Sequence, residues 1–213
     1  MAVDLQKIHK RLFAHFGPQH WWPGDSAFEI SVGAILTQNT NWSNVARAIQ
    51  NLKKERVLQP ARLYALGSRK TAQLIKPSGY YRLKTKRLRN FLQLVMTKYG
   101  GRLSRMKRVA LPALRSELLS VNGIGPETAD SILLYAFDKP SFVVDAYTKR
   151  VFQRHHLIPE QATYDDVQAY CMDRLPNNPR LFNEYHALIV RVGKEYCLKN
   201  NPKCSMCPLC DEK

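Results

Sequence analysis

The stretch from residue 118 to residue 145, LLSVNGIGPETADSILLYAFDKPSFVVD, constrains the fold more than any other part of the chain. It reads as an apolar helical turn, a Gly123-Ile124-Gly125 turn and a second helix beginning at Pro126, where a missing N–H costs no hydrogen bond. Glycine reaches positive φ at little cost, so side chains at both glycine positions would obstruct such a turn. The N-terminus of the second helix offers backbone N–H groups that suit a phosphate oxygen. The glycine pattern alone would equally suit an ordinary helix–turn–helix corner.

An apolar extended run follows this hairpin and ends at an aspartate. The run is Phe142-Val143-Val144, it comes after Pro140, and Asp145 follows it. Aspartate favours the N-cap position of a helix, and the next residues, AYTKRV, read as a helix start. A capping role is therefore one interpretation of Asp145.

Taken together, the hairpin and the Pro-Asp segment resemble the helix-hairpin-helix and Gly/Pro-Asp signature of the endonuclease III superfamily of DNA base excision glycosylases. The resemblance implies that the 123–125 turn holds the DNA backbone and that Asp145 is the catalytic residue, a role compatible with capping. The usual glycine of the loop is missing, because Asp138 and Lys139 precede the proline here.

Helical periodicity runs through the whole chain with very few strand-like runs, which predicts an all-α fold. Helices are expected over residues 3–16, on both sides of a break within 28–50, over 81–99 and over 183–196. The resemblance adds a division into two lobes on either side of a cleft. One lobe is expected to be a helical bundle over 27–137 that includes the hairpin. The other would combine 1–26 with 138–213 and carry Asp145 and a cysteine-ligated metal loop.

The positive charge of the chain is concentrated in one segment. The net charge is +16, from 33 Lys and Arg against 17 Asp and Glu, and residues 56–116 hold 16 basic residues and no acidic one. Outside this segment the charges balance, so we expect one basic surface that meets a polyanion, double-stranded DNA. A basic surface without a partner is the alternative. No apolar run is long enough to span a membrane and no signal segment is apparent, so we expect a cytoplasmic monomer.

Two motifs resemble the family's loops that enter DNA. The LTQNT turn ends an apolar helix, and by resemblance Gln38 enters the duplex near the space left by the extruded nucleotide; taken alone, the turn caps a helix. The GYY motif resembles the wedge loop, which places Tyr80 in the stack opposite the lesion, unless it packs on its neighbour. Lys84 and Lys86 follow in the next helix and are expected to contact phosphates.

A pair of adjacent tryptophans precedes these motifs. Trp21-Trp22-Pro23 could pack against the body of the protein or form a stacking platform for a base. Together with Trp42, just after the QNT turn, it resembles the base pocket of the 3-methyladenine DNA glycosylase type III branch. An aromatic pocket whose own motif offers few hydrogen-bonding groups favours a cationic, alkylated purine.

A glutamate stands at the position that, by resemblance to the family, distinguishes hydrolysis of the base from strand cleavage by a lyase. Lyase-competent relatives have a lysine two positions past the last hairpin glycine, which forms a Schiff base with the sugar. Here that position is Glu127, so we expect a monofunctional hydrolase in which Asp145 stabilises an oxocarbenium-like sugar and activates water. The alternatives are a bifunctional enzyme for oxidised pyrimidines, an adenine-mismatch enzyme and a non-catalytic helix-hairpin-helix DNA-binding protein.

Four cysteines close the chain with the spacing C-x6-C-x2-C-x2-C, which predicts a metal site rather than disulfides. They are Cys197, Cys204, Cys207 and Cys210. Similar glycosylases hold a [4Fe–4S] cluster with five residues before the last cysteine, where this chain has two, and Lys213 stands at the family's fourth position. We expect a [4Fe–4S] cluster, because C-x2-C-x2-C spacing ligates clusters elsewhere; structural zinc is the alternative.

Overall fold

A computed structural model describes residues 4–210 of the 213-residue chain. Within that range the secondary structure is helical and contains no β-strand, so the prediction of an all-α fold is confirmed. The α-helices are α1 Leu5–Phe16, α2 Ala27–Leu36, α3 Trp42–Lys54, α4 Pro60–Ala65, α5 Ser68–Leu74, α6 Tyr81–Tyr99, α7 Leu103–Lys107, α8 Leu111–Ser120, α9 Pro126–Ser131, α10 Ala146–Arg154, α11 Tyr164–Arg174 and α12 Pro179–Glu195. Two 3-10 turns, Lys76–Ser78 and Cys204–Met206, and a π-helical segment, Ile132–Ala136, complete the elements.

The chain divides into two compact units. The first unit comprises the chain up to Trp22 together with the chain from Asp138 onward, and the second unit is Pro23–Phe137. Helices α1, α10, α11 and α12 thus belong to the first unit, and α2 to α9 belong to the second.

The second unit is built around α2, which the sequence predicts to be a buried central helix. Val32, Ile35 and Leu36 are completely buried, and they belong to one core cluster with Leu88 of α6 and Ile132 of the π-helical segment. Burying side chains of this size supplies the main stabilisation of the unit, about 1.5–3 kcal/mol for each one. The core therefore holds α2, α6 and the end of the hairpin as one body.

The first unit packs α1 and α10 against α12. Phe142, in the extended run before Asp145, is completely buried, and its ring lies edge-on to that of Phe182 at 5.5 Å. The run is thus buried as an irregular segment rather than as a strand, and its burial fixes where the following helix begins.

Most predicted helices have the expected bounds, and capping residues explain their starts. The break within 28–50 falls between α2 and α3, where Asn41 caps α3 by accepting a hydrogen bond from the Asn44 amide. The last helix starts earlier than predicted because Asn178 caps it and Pro179 suits its first turn. Val3, at the predicted start of α1, lies outside the described residues. No helix among the described residues combines the length and hydropathy needed to cross a bilayer.

Candidate active site

Asp145 lies at the N-terminus of α10, at the end of the buried extended run. It is the N-cap residue, and its Oδ1 accepts hydrogen bonds from the Thr148 amide at 2.7 Å and the Thr148 hydroxyl at 3.0 Å. One carboxylate oxygen is therefore fixed by the helix that follows it. The side chain keeps 16% of its surface accessible, so the carboxylate can still be reached.

The other oxygen of Asp145 faces a histidine of α12. His186 is buried, and its Nε2 lies 3.6 Å from Asp145 Oδ2. Burial acts to raise the pKa of the Asp145 carboxyl, but the nearby His186 and the hydrogen bonds from Thr148 outweigh burial and lower this pKa. The carboxyl is therefore ionised at neutral pH, the form that can stabilise a positively charged sugar.

His186 and Thr148 are the functional neighbours that sequence reasoning missed. The sequence permits His186 either a core position or one near the site, and it favours the core. His186 is indeed buried. Its contact with Asp145, however, depends on the packing of α10 against α12, which no local sequence pattern predicts. Thr148, by contrast, stands three residues after a candidate N-cap, and that spacing could have identified it.

The hairpin is formed by α8, the 121–125 turn and α9. Gly123 has φ 96°, in the left-handed region, whereas Gly125 has φ −93° and ψ 179°, which any residue can adopt. An added Cβ at Gly123 would lie 2.3 Å from Arg87 Cγ, whereas one at Gly125 would have no neighbouring atom within 4 Å. The prediction of an obstructed turn is therefore correct for Gly123 and wrong for Gly125, where the space is open.

Ile124 serves the turn itself. Its side chain is 4% exposed and belongs to the core of the second unit, and its amide donates a hydrogen bond to Val121 O at 2.9 Å. The amide of Ile124 is therefore engaged within the turn, and contact of this residue with the DNA backbone stays a prediction. Arg115 of α8 joins the two helices of the hairpin by donating two hydrogen bonds, of 2.9 and 3.1 Å, to the fully buried carboxylate of Asp130 in α9.

The Gln38 side chain lies against the hairpin in this structure. Its Nε2 donates to Gly123 O at 3.0 Å and to Thr128 Oγ1 at 2.9 Å, and its Oε1 accepts a 2.5 Å hydrogen bond from Arg87. These contacts connect the turn after α2 to the hairpin within one unit. Insertion of Gln38 into a duplex would require these hydrogen bonds to be exchanged for contacts with DNA.

Tyr80 stands at the start of α6 and faces solvent. It has φ 44°, and 70% of its surface is exposed, so it does not pack on its neighbour as the alternative interpretation had it. Leu83, one turn along, is 47% exposed. Exposed apolar side chains of this size in one place suit contact with a base stack.

Of the two lysines expected to contact phosphates, one is buried. Lys84 is 1% exposed, and its Nζ donates hydrogen bonds to Leu36 O at 2.8 Å and Ser78 O at 2.6 Å. The prediction that Lys84 contacts phosphates is therefore wrong, because its ammonium is used inside the second unit. Lys86 is exposed, and its phosphate contact stays a prediction.

The aromatic residues expected to hold a base fall in both units. In the first unit, the rings of Trp21 and Trp22 lie edge-on with their centroids 5.3 Å apart, and both side chains are half-buried. In the second unit, Pro23 and Trp42 line one groove of about 430 Å³.

Charged groups share this groove, contrary to the expectation of few polar groups. Lys53 lies 2.7 Å from Asp25 Oδ2 and 2.7 Å from Glu29 Oε1, and all three residues line the groove beside Trp42. The charged groups beside Trp42 in this groove are therefore paired with one another.

The C-terminal cysteines come together in the first unit. All four line one cavity of about 60 Å³, together with Arg154, His155 and Tyr196. Arg154 holds the surrounding chain by hydrogen bonds to Leu198 O at 2.6 Å and Lys199 O at 2.9 Å. Within residues 4–210, no group of three or more candidate ligands is arranged to hold a single metal ion. Lys213 lies outside the described residues.

Known proteins with similar sequences are DNA repair enzymes. Residues 32–177 match the profile of the HhH-GPD superfamily base excision DNA repair proteins. The chain is 47% identical over 207 residues to the "Putative DNA repair glycosylase MJ1434" of Methanocaldococcus jannaschii, covering 96% of this chain and 93% of that protein. It is 28% identical over 203 residues to endonuclease III of Thermotoga maritima, with 95% and 89% of the two chains covered.

Solved structures share the fold over nearly the whole chain. The H. pylori 3-methyladenine DNA glycosylase MagIII, bound to 1,N6-ethenoadenine, superposes with a TM-score of 0.77 at 28% identity, covering 91% of this chain and 98% of MagIII. An endonuclease III–DNA complex superposes with a TM-score of 0.83 at 22% identity, with 98% and 92% covered. The chain therefore belongs to the HhH-GPD superfamily of base excision DNA repair proteins and is a DNA glycosylase with the all-α fold of that family.

Proposed function

We propose that this glycosylase is monofunctional and hydrolyses the N-glycosidic bond of an alkylated purine extruded from duplex DNA. The observation that carries the proposal is the arrangement around Asp145, an ionised and partly accessible carboxylate with one oxygen fixed by Thr148 and the other facing His186. Such a group suits a reaction whose transition state is a cationic sugar.

The reaction needs few groups from the protein. Once the nucleotide is extruded, the bond between C1′ and the base nitrogen breaks, and its electron pair leaves with the base. The Asp145 carboxylate stabilises the positive charge that develops on the sugar. Water then bonds to C1′, and its proton passes to Asp145, which leaves an abasic site and a free base.

Glu127 supports hydrolysis rather than strand cleavage. It is exposed in the first turn of α9, at the position where lyase-competent relatives carry a lysine. A carboxylate cannot form an imine with the sugar, so the abasic strand should stay intact after the base has left.

The aromatic residues support an alkylated purine as the substrate. Trp21, Trp22 and Trp42 offer indole faces, and a ring-alkylated purine carries a positive charge that strengthens its stacking on indole. The same charge makes the base a better leaving group, so a modest contribution from Asp145 suffices. The structural likeness to MagIII, which is bound to a modified adenine, supports the same substrate class.

The second candidate function is excision of oxidised pyrimidines with strand cleavage, which the likeness to Thermotoga maritima endonuclease III favours. Glu127 argues against it. A non-catalytic DNA-binding role is disfavoured by the contact between His186 and Asp145, since a helix cap alone needs only the hydrogen bonds from Thr148.

The cysteine cavity supports a [4Fe–4S] cluster held by Cys197, Cys204, Cys207 and Cys210. All four line one cavity, and their C-x2-C-x2-C spacing ligates clusters in other proteins; four thiolates would also suit structural zinc, the alternative. Such a cluster would act structurally, presenting Lys199 and Lys203 to the DNA backbone. Purified protein should be brown, and Cys204→Ser should lose the colour. Colourless protein with stoichiometric zinc would contradict the assignment.

Duplexes that each carry one defined lesion test the proposed function. The panel contains 3-methyladenine or 1,N6-ethenoadenine, thymine glycol, and uracil opposite guanine, and each duplex is incubated with the protein and analysed with and without alkali. We expect rapid release of the alkylated purine and strand breaks only after alkali. Efficient cutting of the thymine glycol duplex without alkali would contradict both the substrate class and the role given to Glu127.

A further inference from the structure

The second unit keeps a buried cation inside its acid-free segment. The Lys84 ammonium is completely enclosed, and both carbonyls that accept its hydrogen bonds, at 2.8 and 2.6 Å, belong to the backbone. A buried charge is costly unless hydrogen bonds compensate for it. Within α6 the neighbouring positions carry exposed cations, such as Lys86, so a lysine has no need to be buried here merely to supply charge.

The two carbonyl groups lie where two loops begin, and both loops are candidates for contact with DNA. Leu36 is the last residue of α2, two positions before Gln38, and Ser78 ends a 3-10 turn two positions before Tyr80. One ammonium group therefore joins the backbone segments from which Gln38 and Tyr80 project. The loop that carries Tyr80 also has positive φ angles at Gly79 and Tyr80, 68° and 44°. Such a backbone conformation persists only when contacts with the surrounding structure stabilise it.

Arg87 extends the connection to a third element. It lies one turn beyond Lys84 on α6, donates a hydrogen bond to Gln38 Oε1, and packs its stem against Gly123 of the hairpin. Gln38 in turn donates to Gly123 O. Helix α6 thus holds the glutamine turn, the Tyr80 loop and the hairpin in fixed relation within one unit.

We propose that Lys84 is a positioning residue for base extrusion, which locks the Gln38 and Tyr80 loops together so that both act on the duplex as one preassembled wedge. This rests on the proposed function, in which these two side chains enter the DNA. The physical reason is preorganisation: loops already held in place need not be ordered when the duplex opens. Loss of the ammonium should therefore slow extrusion while leaving the chemistry at Asp145 unchanged.

Two duplexes separate extrusion from chemistry. In one duplex the alkylated purine lies opposite its normal partner base. In the other (the gapped duplex) the same lesion lies opposite a position that lacks a base, where extrusion costs the least free energy. Lys84→Met keeps the length of the side chain and removes its charge. We expect single-turnover excision from the paired duplex to fall at least about tenfold, and excision from the gapped duplex to change less than about threefold. The ratio of the two rates is the readout.

Lys86→Met is the matched control, because Lys86 is an exposed lysine two residues further along α6. A phosphate contact acts equally on both duplexes, so this variant should lower both rates in parallel, less strongly at higher salt, and leave their ratio unchanged. An equal loss on both duplexes in Lys84→Met, or a wild-type ratio in that variant, would overturn the proposal. Failure of the wild-type protein to release the base from either duplex would instead refute the proposed function.

The wild-type protein offers the same test without a substitution that could impair folding. Burial, followed by the charge of Arg87, lowers the pKa of Lys84 to about 8, and the groups that face it from α2 and the 3-10 turn are uncharged carbonyls. Above that pH the ammonium loses its charge, so the rate ratio of paired to gapped duplex should fall between about pH 7 and about pH 9.5. The same pH series on Lys84→Met is the comparison: a fall of the ratio in the wild-type protein that is absent from the variant is expected, and an equal fall in both would overturn the proposal.

Discussion

The Asp145 region of the first unit and the α6 region of the second hold their functional groups in different ways. Asp145 is positioned mainly by the helix that it caps, through Thr148 three residues later. Gln38 and Tyr80 are positioned through α6, by Arg87 and Lys84, which are distant in sequence from Gln38. The proposed catalytic group is therefore fixed locally, whereas the side chains proposed to enter DNA depend on packing across a whole unit.

The largest expected effect is on catalysis by Asp145→Asn. Asparagine caps helices as well as aspartate does, so the hydrogen bonds from Thr148 and the fold should survive. Loss of the negative charge should slow single-turnover excision by about a thousandfold or more, while binding to undamaged duplex stays nearly normal. Near-normal turnover by the folded variant would show that the carboxylate is not the catalytic group.

Trp42→Ala tests the base-binding role of the second unit. Stacking of a base on an aromatic side chain is worth about 1–3 kcal/mol, so excision of the alkylated purine should fall by roughly tenfold or more. Binding to undamaged duplex, where no base is extruded, should weaken much less. If both measurements fell equally, Trp42 would serve the fold rather than the base.

The two hairpin glycines form a matched pair for stability. Gly123→Ala puts a Cβ into Arg87 at a left-handed φ, so it should destabilise the protein by about 1–3 kcal/mol in chemical denaturation. Gly125→Ala meets open space at an ordinary φ and should change stability by less than about 0.5 kcal/mol. If Gly125 contacts a phosphate, its variant should still bind DNA more weakly. Equal stability losses would show that the hairpin differs from this description.

A smaller effect is expected from His186→Asn, and it should depend on pH. His186 helps to lower the pKa of Asp145, which keeps the carboxylate ionised at lower pH. Without His186 that pKa rises, so activity should be lost at a higher pH as the solution is acidified. Excision at about pH 5 should therefore fall more than at about pH 8. A uniform loss at every pH would mean that His186 supports only packing.

The same comparison explains what the sequence could predict. The helical fold, the span of α6 and the capping position of Asp145 follow from local patterns, namely periodicity, proline placement and cap residues. The family follows instead from the resemblance of the 118–145 stretch to a known motif. Helical periodicity places Lys84, unlike Lys86, on the same face of α6 as the buried Leu88 and Phe91, four and seven residues later. The sequence could not predict the hydrogen bonds from its ammonium to the Leu36 and Ser78 carbonyls, which come from elements outside this helix.

The contact of His186 with Asp145 was missed for the same reason, since it arises where two helices of the first unit pack. The structure also gives Ile124 a role that its motif does not specify, because its side chain and amide both stabilise the turn.

The central claim is that the enzyme releases the base by hydrolysis at Asp145 and forms no imine with the sugar. A borohydride trapping experiment tests this claim most directly. The wild-type protein is incubated with the alkylated-purine duplex and borohydride, and free base and covalent protein–DNA adduct are measured in the same tube. An imine intermediate would be reduced to a stable adduct. We expect free alkylated purine to accumulate with no adduct. Adduct formed in proportion to released base would contradict the account.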